Sequence, residues 1–174
     1  MPLHVGAAGP RMLELAGEIA DGTVLSVGAS EAYIAWARQH ISKGRRTLAG
    51  DHRHHELTVF AIYAVDDDRL VARKAAKTAL ARHLYHSGPS ALTAAYGISE
   101  IVADMARSDL ESFERAMPEQ WLNDLAVAGD PGDCIERLQA FGKTGIDSVA
   151  LLPASGLRAS KMLELTGAEV HPHL

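Results

Sequence analysis

Apolar and polar positions follow two rhythms along this chain. The short runs Leu3–Ala7, Thr23–Val27, Leu57–Val65 and Ser148–Leu152 read as strands, and both alternating faces of Leu57–Val65 are mostly apolar, as expected of a parallel strand covered on both sides. Between them apolar residues recur at helical spacing: Met12, Leu15, Ala16 and Ile19, then Ile34, Ala37 and Ile41, then Ile135, Leu138 and Phe141. A long helix carrying Leu70, Val71, Ala75, Ala81 and Leu84 follows the third run. Each stripe is predicted to face the sheet.

The punctuation agrees with these elements. Pro10 suits the first position of a helix, and Asp21-Gly22 ends it. Ser30 is placed to cap the second helix, which Lys43-Gly44-Arg45-Arg46 breaks. Asp66-Asp67-Asp68 and Asp130-Pro131 start two more, Gly142 and Gly145 stop the latter, and a last helix spans Leu157 to Thr166. Residues 87–127 read as further helices and loops, punctuated by Pro89 and Pro118. Four strands alternating with helices predict an α/β fold in one domain over residues 1–174, its first two strands joined as a right-handed βαβ unit.

Composition narrows the function classes. Apolar residues at 47% and charged residues at 22% describe a globular chain long enough for a real core. A net charge of −5 removes the electrostatic reason to expect nucleic acid or an anionic membrane as partner. The lone Cys134 excludes an internal disulfide and fits a reducing compartment. No signal peptide fits Met1-Pro2 ahead of a strand-like run, and Leu57–Val65 falls far short of the ~20 residues of a membrane span. The expectation is a cytoplasmic protein with a small-molecule substrate.

The first strand runs into Ala7-Ala8-Gly9-Pro10-Arg11-Met12. Small residues opening a helix let an anion reach bare backbone, where unpaired N–H groups and the positive helix end face it. An ordinary strand-to-helix turn needs small residues too, for packing. Ser26-Val27-Gly28-Ala29-Ser30 and Pro153-Ala154-Ser155-Gly156 follow later strands and either line a pocket or merely turn and cap. Asp51-His52-Arg53-His54-His55-Glu56 offers metal-ligand types, but consecutive residues do not readily converge on one ion, so no metal site is predicted. Cys134 reads as a packed thiol; Trp36, Tyr63 and Trp121 read as core or interface residues. Tyr85, His86 and Tyr96 fall in the stretch after the third strand, with His86 the pocket candidate among them.

The run Pro2-Leu3-His4-Val5-Gly6-Ala7-Ala8-Gly9-Pro10-Arg11-Met12-Leu13-Glu14-Leu15-Ala16-Gly17-Glu18-Ile19-Ala20-Asp21-Gly22 resembles the fifth strand and helix of the bacterial luciferase-like oxidoreductases, nearest the methylenetetrahydromethanopterin reductases. Val127-Ala128-Gly129-Asp130-Pro131-Gly132-Asp133 through Gly145-Ile146-Asp147-Ser148-Val149 resembles the stretch leading into that family's last barrel strand. The resemblance implies half of a (β/α)8 barrel, strands five to eight, with a helical insertion between the third and fourth strands of this chain. It implies a flavin- or deazaflavin-dependent oxidoreductase, acting by hydride transfer or monooxygenation with the deazaflavin coenzyme F420 or FMN. The backbone of Gly9, Arg11 and Met12 would then cradle the cofactor phosphate within the loop Ala7, Ala8, Gly9, Pro10, Arg11 and Met12, although barrels generally hold phosphate near strands seven and eight. Catalytic residues remain unassigned. A half barrel has two open edges and an uncovered inner face, so the chain is expected to be a truncated form, to pair with a second copy as a homo-oligomer, or to join a complementary half barrel. The alternative reading is a non-catalytic subunit that assembles through those edges.

Overall fold

The computed structural model describes residues 1–46 and 54–174. Five strands form one parallel sheet: β1 (His4–Gly6), β2 (Gly22–Leu25), β3 (Glu56–Val65), β4 (Ala126–Gly129) and β5 (Ser148–Pro153). Thr58 and Val59 pair with β2 and β5 at once, while Ile62 and Tyr63 pair with β4 and β5 at once. A strand has only two edges, so β2 and β4 share one edge of β3 and β5 takes the other. The main path is therefore β1-β2-β3-β5, the four predicted strands in order. The extra strand, β4, begins at the end of the stretch 87–127 read from sequence as helices and loops and runs on to Gly129. Four small residues directly after a helix leave too little periodicity to mark a strand.

Helices α1 (Pro10–Ile19), α2 (Glu31–Arg45) and α9 (Ala159–Leu165) follow β1, β2 and β5. Between β3 and β5 come α3 (Arg69–Ser87), α4 (Ala91–Tyr96), α5 (Ser99–Met105), α6 (Leu110–Ala116), α7 (Glu119–Leu125) and α8 (Pro131–Lys143), which form the predicted helical insertion. The caps behave as their residue types require: Ser30 Oγ accepts from Tyr33 N–H at 3.1 Å, Asp68 accepts from Leu70 N–H at 2.9 Å, and Asp130 and Asp133 cap each other's backbone.

The core lies on both faces of the sheet. On one side Leu57, Val59 and Ala61 of β3 meet Leu13 and Ala16 of α1, Ile34, Ala37 and Ile41 of α2, and Leu138 and Phe141 of α8. On the other side Ile62 and Ala64 meet Ala76, Leu80 and Leu84 of α3, with Phe113, Trp121 and Leu122 beyond. β3 is covered on both faces only along its carboxyl-terminal half. Nearer its start Phe60 is 43% exposed, so the expectation of two covered faces holds for part of the strand.

α1 turns away from its predicted orientation. Leu13, Ala16 and Gly17 are buried, whereas Met12, Leu15 and Ile19 are 47%, 41% and 58% exposed. The crossing with α2 decides this. A Cβ on Gly17 would strike the Ile41 carbonyl, and one on Gly44 would strike the Glu14 carbonyl. Two glycines thus let the helix backbones touch, which fixes the rotation of α1 and keeps Gly44 inside α2 rather than at its end.

Candidate functional site

All strands run parallel, so the loops leaving their carboxyl ends share one rim of the sheet. The loop after β1 is held there by its own backbone and by α2. Ala7 N–H donates to Val24 O at 3.1 Å, extending the β1·β2 ladder, and the buried Tyr33 hydroxyl donates to Ala8 O at 2.9 Å. Ala7 therefore packs in the loop but has no donor left for a ligand. Gly9 caps α1 in extended conformation, Pro10 takes the first helical position, and Leu13 N–H closes the first turn onto Gly9 O at 3.0 Å. Among the described residues, no acceptor takes the N–H groups of Gly9, Arg11 or Met12. No heavy atom would lie within 4 Å of a Cβ on Gly9, so the turn is uncrowded at that residue. Free donors, clearance and the positive end of a helix together suit a phosphate-bearing cofactor. Arg11 is exposed at the same place.

A second feature on this rim is a cleft of about 360 Å³. Val27, Ile62, Leu152, Pro153 and Ala154 form its sheet-side wall. The opposite wall is α3, which contributes Ala79, Arg82, His83 and His86 at helical spacing from one face. Burial pushes the His83 pKa below the ordinary histidine value, and a hydrogen bond to the Val27 backbone opposes that only in part. Burial thus disfavours the charged form of the ring. Gly28, at φ +79°, lies beside it, and a Cβ there would stand 3.5 Å from His83 Cδ2.

The pocket expectation for His86 agrees with this geometry, and the loops after β2 and β5 both reach the cleft. Arg82 and His83 carry no motif of their own. Their spacing with His86 on one helix face was the available signal, but a lone basic stripe usually marks a solvated face.

The other candidates are brought apart rather than together. His54 pairs with Asp147 at 2.6 Å, His55 Nε2 with Thr23 Oγ1 at 2.8 Å, and Glu56 with His4 at 3.2 Å, at the opposite end of the sheet. Asp51, His52 and Arg53 lie outside the described residues. Among the described residues no group of three or more His, Cys, Asp or Glu could hold a metal ion. Cys134 is buried under the sheet, its thiol pushed up to about 12 by burial first and by Asp133 and Asp130 second. Tyr63 and Trp121 are core residues; Trp36 stacks on Tyr33. Tyr85 packs edge-on to Phe113 and Tyr96 donates to Asp124 at 2.5 Å, which are structural contacts.

The profile of the family described as luciferase-like monooxygenase matches residues 1–148. The chain belongs to that family. The 5,10-methylenetetrahydromethanopterin reductase of Archaeoglobus fulgidus is 27% identical over 183 residues, covering 100% of this chain and 54% of its own length. Among solved structures, the coenzyme F420 dependent tetrahydromethanopterin reductase from Methanopyrus kandleri superposes with a TM-score of 0.80 at 26% identity, over 99% of this chain and 51% of that one. An F420-dependent secondary alcohol dehydrogenase in complex with an F420-acetone adduct reaches 0.71 at 18% identity, over 99% and 48%, a likeness of fold. This luciferase-like chain thus spans about half the length of the relatives it matches. Its sheet and helices correspond to part of a (β/α)8 barrel. No helix among the described residues is long and apolar enough to cross a membrane.

Proposed function

We propose that this chain is the carboxyl-terminal half barrel of a deazaflavin-dependent oxidoreductase, with the Ala7–Met12 ledge binding the cofactor phosphate. The single observation that carries the reading is the set of free donors at Gly9, Arg11 and Met12. They lie at the rim where barrels hold their chemistry, beside a Gly9 uncrowded in its Cβ direction, in a chain with relatives named as methylenetetrahydromethanopterin reductases. When bound, the cofactor supplies hydride transfer. The residues of this half anchor its anionic tail, hold the loop through Tyr33, and wall one side of the space beside it. FMN, with a phosphate of the same chemistry, is the alternative ligand for the ledge.

The barrel mouth needs a second half. β1 and β5 end the main path of the sheet, Phe60 and Leu152 face outward on its inner side, and Met12, Leu15 and Ile19 leave α1 with an apolar flank. A second copy or a complementary half barrel would cover these surfaces. The same exposure favours, as a second reading, a non-catalytic subunit that works only by pairing.

Fluorescence titration of the purified chain with the deazaflavin coenzyme, and separately with FMN, distinguishes the two. Saturable micromolar binding is expected, lost in Gly9→Asp, whose carboxylate would repel the phosphate. A folded wild-type chain that binds neither cofactor would leave only the subunit reading.

A further inference from the structure

Two apolar surfaces lie at opposite ends of the main path of the sheet. At the β1 end, Met12, Leu15 and Ile19 form the exposed flank of α1. At the β5 end, a groove of about 640 Å³ is lined by Leu138 of α8 with Ile146, Val149, Leu151 and Leu174. Both lie on the same side of the sheet, since Leu138, Val149 and Leu151 share one core layer with Leu13 and Ala16 of α1. Both also reach the amino end of the strands. α1 ends at Ile19 just ahead of β2, and the groove includes Ile146 and Ser148, where β5 begins.

Their charges are opposite. Glu18 stands beside Leu15 and Ile19 on α1, and Lys143 ends α8 at the groove. Both are exposed, and neither makes an ion pair among the described residues. β1 pairs only with β2 and β5 only with β3 among those residues, so each keeps a free edge. The strand count points the same way. Two main paths of four strands make eight, the number at which a parallel barrel closes with side chains filling its interior.

We propose that a second copy of this chain covers both surfaces, the α1 flank of each copy seating in the β5 groove of the other, with Glu18 of one meeting Lys143 of the other. A two-fold axis makes the two seams identical and leaves no free edge on the main path. Burial of the flank supplies the drive, and the ion pair sets the register. The proposal rests on the half-barrel reading above and commits to one of the two partners that reading allows. It also sets Pro153-Ala154-Ser155 of one copy beside the Ala7–Met12 turn of the other, since both leave the carboxyl ends of neighbouring strands.

The test is sedimentation of the full chain over a concentration series, with circular dichroism on each variant to confirm its fold. A species of two chains is expected. Glu18→Lys and Lys143→Glu should each weaken it about tenfold at low salt, because like charges then meet at both seams, and the double variant should return to within about threefold of wild type. Carbodiimide coupling of mixed isotope-labelled and unlabelled chains should join Glu18 of one chain to Lys143 of another. A wild type that stays monomeric at every concentration would overturn the proposal and leave a complementary half barrel as the occupant. A dimer that ignores both charge reversals and yields no such coupled peptide would overturn it as well. A monomer that binds the deazaflavin coenzyme removes this pairing alone, whereas a dimer that binds neither the coenzyme nor FMN removes the oxidoreductase reading and leaves the pairing.

Discussion

The Tyr33 hydroxyl reaches the Ala8 carbonyl from a side chain with no solvent exposure, and burial pushes its pKa up to about 12, so it remains a donor across the working pH range. Tyr33→Phe should cost about 1 kcal/mol of stability and weaken cofactor binding severalfold by freeing the loop, read by thermal denaturation and by titration. Asp147 links the start of β5 to β3, accepting from Leu57 N–H at 2.8 Å and from His54 at 2.6 Å. Burial pushes its carboxyl up, but these hydrogen bonds outweigh burial and hold it below the ordinary carboxylate value. A depressed folded pKa contributes stability that is full above the unfolded value and is lost as pH falls through the folded one. Acid titration should therefore show wild type losing stability below the ordinary carboxylate range, with a shallower slope in Asp147→Asn. At this scale the strand-to-helix turn at Ala7–Met12 was legible, because Pro10 suits the first helical position and Gly9 precedes it as the cap. His83 was not, since a histidine between Arg82 and Leu84 on a long helix gives no hint of which wall it faces.

Helix starts and strands were readable where a cap or a long apolar run announced them, as at Ser30, Asp68, Asp130 and Leu57–Val65. The rotation of α1 was not, because both of its flanks are apolar: Leu13 and Ala16 compete with Met12, Leu15 and Ile19. Tertiary contact resolves the tie through Gly17 and Gly44, and no periodicity within α1 encodes that. Gly17→Ala should drive the helices apart and cost about 3 kcal/mol, measured by chemical denaturation, with the loss extending to cofactor binding because the ledge is the first turn of the same helix. Unchanged stability in that variant would show that the crossing tolerates separation. β4 escaped notice for a different reason. Its pairing with the end of β3 is a long-range contact between short, small-residue segments.

For the whole molecule, the sheet order and the match to half of a longer reductase describe the same object from two directions: a parallel sheet that stops partway round. The family and its fold class were legible from two stretches of sequence. What closes the sheet was not, because an open edge differs from a paired one only in its partner. If the flank of α1 is a seam, Leu15→Glu with Ile19→Glu should convert the assembled chain to a smaller species in analytical ultracentrifugation, without changing its helical content. A wild-type chain that sediments as a monomer while holding cofactor would argue against a required second half.

The most direct measurement is a crystal structure of the chain bound to the deazaflavin coenzyme. The cofactor phosphate should lie against the first turn of α1, within hydrogen-bond distance of the Arg11 and Met12 N–H groups. A phosphate bound elsewhere, with those amides facing only solvent, would contradict the account.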